Sequence, residues 1–104
     1  MSRGPDAATL LARALTRSAA AAECPVTVVT ADWSRWASAT FTGARHSVEL
    51  SAPPSPALIA WIAALPEVEL VLRGHLVADL SVVAARHAGA EITIELEILT
   101  VEER

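Results

Sequence analysis

Two dipeptides, Arg45-His46 and Arg86-His87, are the residues of this chain whose types and spacing could do chemistry. A guanidinium forks two hydrogen bonds onto a carboxylate or phosphate, and an imidazole titrates near neutrality, so the pair could bind a small anion or move a proton. They recur at an offset of 41 residues, which also carries Pro25 onto Pro66. Over residues 14–47 that offset gives seven identities, four of them Ala on Ala, so it suggests an internal duplication without establishing one. The plainer reading makes all four solvated residues at strand ends.

Other constellations are weaker. His75 and Asp79 lie four residues apart, about 13 Å along a straight strand, so they share a face without touching. Three scattered histidines and the lone Cys24 have no metal-ligand spacing, and no metal or cofactor is expected. Glu91, Glu95 and Glu97, with Glu67 and Glu69, form acidic rows that suit a divalent cation or basic partner, or a charged face that resists edge-to-edge aggregation. No serine sits in a Gly-x-Ser-x-Gly setting, and four glycines make no phosphate-cradling loop. No catalytic residue is assigned.

Trp33 and Trp36, with Phe41, are three of only four aromatic residues, and the tryptophans flank an expected turn at Asp32–Arg35. Large aromatics there either fill a pocket on a partner or fold back over the core. They are the candidate interface residues.

The elements that must position these groups follow from local signals. Asp6 caps a helix over 6–22, which Pro25 ends. Val26 to Val29 predicts a strand over 25–31, and Trp36 to Thr42 a second, followed by the alternating run Arg45–Leu50. Ser55-Pro56 starts a second helix, 55–64, stopped by Pro66. Glu67–Leu72 alternates acid and apolar and reads as a strand; Leu76, Ala78, Leu80 and Val82 continue an even apolar phase. Glu91–Val101 places Ile92, Ile94, Leu96 and Ile98 on one face.

The order αββαββ predicts an α+β two-layer sandwich, a mostly antiparallel sheet with both helices on one face. A cyclic shift of the ferredoxin-like βαββαβ order gives the same sequence of elements, an analogy of order alone. The 104 residues suffice for a single domain, and 53 % hydrophobic composition excludes disorder.

A net charge of −4 argues against nucleic acid or an anionic membrane surface as partner, and no apolar run is long enough for a membrane span or a secretory core. With one cysteine and no possible internal disulfide, the expected compartment is the cytoplasm. All eight basic residues are Arg, Lys, Asn, Gln and Tyr are absent, and Ala fills 22 positions, the imprint of a high-GC bacterial genome. A small sheet bare on one face points to a non-catalytic homo-oligomer. Another protein in a larger assembly is the other partner considered, and the function alternative is an enzyme or sensor that takes an anionic metabolite at the Arg-His turns.

Overall fold

The computed structural model describes residues 6–103. Its elements are α1 (Ala7–Ala21), β1 (Thr27–Ala37), β2 (Thr42–Ala52), α2 (Pro56–Ala64), a 3-10 turn (Leu65–Glu67), β3 (His75–Ala88) and β4 (Glu91–Glu102). The four strands form one antiparallel sheet in the order β1-β2-β4-β3. The fold is therefore α+β. Residues 1–5, which precede the Asp6 cap, lie outside the described residues.

Both helices begin where side-chain oxygens meet orphan N–H groups. The Asp6 carboxylate accepts from the Thr9 N–H at 2.9 Å and the Ser55 hydroxyl from the Leu58 N–H at 3.0 Å. Helix α1 ends in a Schellman pattern, with the Cys24 N–H donating to Ala19 O and the Glu23 N–H to Ala20 O, 3.0 Å each. Glu23 occupies the position usually given to glycine, at φ 65°, and stores about 1 kcal/mol of strain.

Period two governs β2 and β4. Ala44, His46, Val48, Leu50 and Ala52 of β2, with Ile92, Ile94, Leu96, Ile98 and Thr100 of β4, are all buried. One core joins Val48, Leu50 and Ala52 of β2 and the four apolar residues of β4 to Leu11 and Leu15 of α1 and to Leu58 and Trp61 of α2. The helices also meet directly, the Trp61 Nε1–H donating to Ser18 Oγ at 3.0 Å. The opposite face carries Arg45, Ser47, Glu49, Glu95 and Glu97 at exposed or half-buried positions.

Three readings of the strands need correction. First, no turn interrupts Asp32–Arg35: β1 runs through it, because those polar residues pair with Ser47 to Ala44 of β2 on an exposed edge where polar side chains reach water. The hairpin turn lies later, where Ser38 N–H donates to Phe41 O at 2.7 Å and Phe41 N–H to Ser38 Oγ at 3.0 Å.

Second, Glu67–Leu72 is not a strand; only Leu72 makes a bridge, to His75 across a turn with Gly74 at φ 81°. Leu70 and Leu72 are buried while Val71 is 79 % exposed, so the alternation records a link lying along the core without a partner strand. Third, β3 is bulged at Ala78 and Val83, and each bulge advances the phase by one. Val77, Leu80, Val82 and Ala85 therefore oppose Thr100, Ile98, Leu96 and Ile94, and Leu76 is left exposed.

Candidate functional site

The two Arg-His dipeptides fall on non-equivalent strands. Arg45 and His46 are in β2, whereas Arg86 and His87 are in β3, so the offset of 41 residues does not relate matching positions of the two hairpins. Arg45 lies opposite Leu99 and Arg86 opposite Thr93, six residues apart along β4, roughly 20 Å. The four side chains do not share a cleft. Arg45 lines an open hollow with Asp32, Asp79 and Glu97, while His87 borders a shallow apolar depression with Ile59 and Ile92. Arg86 pairs with Glu95, the one ion pair among the described residues.

Adjacent residues of a strand point to opposite faces, which separates Arg45 from His46. His46 is only 3 % exposed, and its Nε2 meets Thr100 Oγ1 at 2.9 Å. Burial pushes the imidazole below its ordinary value of 6.5, and His75 adds to the depression while Asp6 opposes it. The folded state thus holds His46 neutral, and the unfolded chain binds a proton there more readily. Stability contributed by this group is complete above pH 6.5 and is lost as pH falls below it. Urea melts between pH 7.5 and 5 should show unfolding free energy falling by up to about 1.4 kcal/mol per pH unit below that point, with the slope reduced in His46→Gln.

A small cavity of about 160 Å³ opens beside His46, at the end of the sheet beneath the start of α1. Its floor is Ala44 and Thr100, its roof is Ala7 and Ala8, and Trp33 with Arg35 from β1 faces His75 from β3. The cavity exists because small side chains meet there: alanines on the helix and an alanine and a threonine on the central strands leave volume that larger residues would fill. His75 Nδ1 is shut off from solvent with no hydrogen-bond partner among the described residues.

The sequence carried a signal for part of this. His46 falls in phase with Val48 and Leu50, and Thr100 continues the row of Ile92 to Ile98, so each is a polar residue on an apolar face. Arg35 and His75 had no such signal.

The candidate interface residues divide between faces. Trp33 opposes His46, shares its face of the sheet and is 53 % exposed; Trp36 opposes Gly43 on the other face, its Nε1 buried and without a partner among the described residues. Phe41 stands half-exposed in the hairpin turn. Cys24 is buried, and desolvation pushes its thiol up, away from thiolate reactivity. Among the described residues no group of three or more His, Cys, Asp or Glu could hold a metal ion, and no helix is long and apolar enough to cross a membrane. No protein-family model matches the chain, and no curated protein or solved structure matches it.

Proposed function

We propose that this chain is a non-catalytic interaction domain that associates with a second copy of itself along the free edge of β1. The observation that carries the reading is the run Thr30–Ala37, eight residues of edge strand without bulge or proline, bearing the half-exposed Trp33. An unprotected edge of this length is a template for another strand, and Trp is the residue type most enriched among those that dominate interface energy. The edge on β3 is longer, but its two bulges break the regular row of backbone groups.

A two-fold axis normal to the sheet would join two β1 strands antiparallel into one eight-stranded sheet and keep each face on its own side. Trp33 would then oppose the partner's Trp33 or, one register on, the partner's Arg35, a ring-on-ring or cation–π contact. Face-to-face pairing is disfavoured, because Asp32, Glu49, Asp79, Glu95 and Glu97 share the helix-free face with few cations.

The architecture that accompanies this reading is one domain in two layers, both helices covering the buried sheet face. Strands β2 and β3 are parallel to each other with β4 between them and α2 connecting them, a split βαβ unit that supports the ferredoxin-like analogy. The repeated helix–hairpin order is what supports a duplication. We place the protein in a bacterial cytoplasm on its composition.

Sedimentation velocity at 5 to 50 µM tests the association (roughly the range in which small-interface dimers form), with a dimer expected. Trp33→Glu or Ala31→Lys should weaken it at least about thirtyfold with circular dichroism unchanged. A monomer throughout that range, or a dimer indifferent to both substitutions, would overturn the proposal.

A further inference from the structure

We propose that two copies of this chain pair along β1 in one register only, with the two-fold axis at Ser34, so that each Trp33 lies across from the partner's Arg35. The proposal rests on the association along β1 set out above and fixes which residues meet in it.

The hairpin turn decides which way each residue of β1 directs its peptide groups. The Ser38 N–H donates to Phe41 O, so Ser38 bonds toward β2. Hydrogen-bonded and non-hydrogen-bonded pairs alternate along an antiparallel ladder, and the pairing of β1 with β2 runs without a shift from Ala37↔Thr42 to Thr30↔Glu49. By that alternation Trp36, Ser34, Asp32 and Thr30 bond to β2. Ala37, Arg35, Trp33 and Ala31 turn their N–H and C=O groups to the free edge, where no other element of the described residues meets them.

An axis normal to the sheet keeps each face on its own side and passes through a residue opposed to its own copy. Each opposed pair of outward-turned residues exchanges two bonds. With the axis at Ser34, Ala31 meets the partner's Ala37 and Trp33 meets the partner's Arg35; the converse pairs complete a ladder of about eight bonds. With the axis at Trp33 the ladder has about six, because the residue that would face Ala37 is Val29, at the shift between Val28 and Thr30. An axis at Arg35 also gives about six and opposes two guanidiniums, and one at Asp32 opposes two carboxylates with fewer bonds still. Only the Ser34 axis engages every free peptide group from Ala31 to Ala37.

The side chains agree with the backbone. Trp33 is half-exposed and Arg35 is exposed, without an ion pair among the described residues. Across the Ser34 axis each guanidinium lies opposite an indole, the pairing that cation–π attraction favours. The two Arg35 are diagonal neighbours, about 7–8 Å apart at Cβ. On the other face the two Asp32 carboxylates stand four positions out of line, roughly 13 Å apart, whereas an axis at Trp33 would make them diagonal neighbours.

Cross-linking of the full chain tests the register. On the axis, Ser34 and its copy form a non-hydrogen-bonded pair with Cα atoms about 4.5 Å apart, within the span of a disulfide. Under oxidised glutathione, Ser34→Cys should therefore form a covalent dimer at least about tenfold faster than Asp32→Cys, whose copies lie too far apart. A mixture of Ala31→Cys and Ala37→Cys should give the mixed disulfide, identified by peptide mapping. Wild type, with Cys24 buried, is the control. Arg35→Ala should weaken dimerisation in sedimentation at least about fivefold, through the loss of two cation–π contacts. If wild type dimerises but Ser34→Cys and Asp32→Cys cross-link equally, or the mixed disulfide is missing, or Arg35→Ala has no effect, this register is overturned while association along β1 stands. A wild-type monomer with no cross-link in any variant overturns both.

Discussion

Replacing Trp61 with alanine should lower the unfolding free energy by about 4 kcal/mol, measured by urea denaturation at pH 7.5. Trp61 is buried in the one core that both helices share, and it removes more apolar surface from water than any other residue of α2. It is also the direct tie between the helices, through its bond to Ser18. Alanine would leave a cavity bordered by both helices, which rigid strands beneath could not collapse to fill. A domain of this size has about 5–15 kcal/mol in total, so the variant should be partly unfolded in mild denaturant. Trp61→Phe keeps most of the volume and loses the indole N–H, and should cost about 1–2 kcal/mol. Equal losses in the two variants would mean that the bond to Ser18, rather than the filled volume, holds α2 in place.

Gly43→Ala should destabilise the sheet by about 3 kcal/mol, a large effect for one methyl group. A Cβ at Gly43 would stand 1.9 Å from the carbonyl oxygen of Thr100 and 3.0 Å from Trp36 Nε1. The first is backbone of the neighbouring strand and cannot rotate away, so the seam between β2 and β4 must open. The ring of Trp36 lies over the same glycine, a cross-strand arrangement in which an aromatic side chain shields a position that has none. Gly89→Ala is the control: nothing lies within 4 Å of a Cβ there, and its cost is only that of φ 66° in the turn between β3 and β4, about 1–2 kcal/mol. Thermal melts of the two variants should differ by several degrees in a domain of this length. A smaller loss at Gly43 than at Gly89 would mean that the β2–β4 seam yields easily.

What was readable in the sequence was chemistry confined to a few neighbouring residues. Asp6 and Ser55 announce helix starts because the capping oxygen lies three residues from the N–H it serves. β4 announces itself because every second residue from Ile92 to Ile98 is branched and apolar. The misread segments depend on partners far along the chain. Nothing near Ala78 or Val83 marks a bulge, since a bulge is a mismatch in count between two strands. Asp32 and Ser34 have the composition of a turn, and only pairing with β2 decides otherwise. Val68, Leu70 and Leu72 alternate as a strand would because the core lies on one side of them, whether or not hydrogen bonds are made.

The candidate site was less legible still. Its cavity is defined by what Ala7, Ala8, Ala44 and Thr100 lack, and those residues come from three elements spread across the chain. The Arg-His dipeptide recurs in the sequence, yet the two copies sit on strands of different rank in the sheet. Two residues that border the same cavity, Arg35 and His75, are 40 positions apart with no shared motif. Trp33 and Trp36 stand out by their rarity, and the two residues between them place them on opposite sides of the β1 ribbon.

β4 sits between β2 and β3 although it follows both in chain order. On the ribosome, β2 must therefore wait with one flank unpaired, and β3 with no partner strand at all, until the final long strand emerges. The hairpin of β1 and β2 can form early, but the rows of Leu50 and Leu80 stay wet through most of synthesis. Burial of the core is thus a late and abrupt event, with the greatest exposure to chaperones and to mispairing in the interval after Ala88 is made and before Ile98 is released.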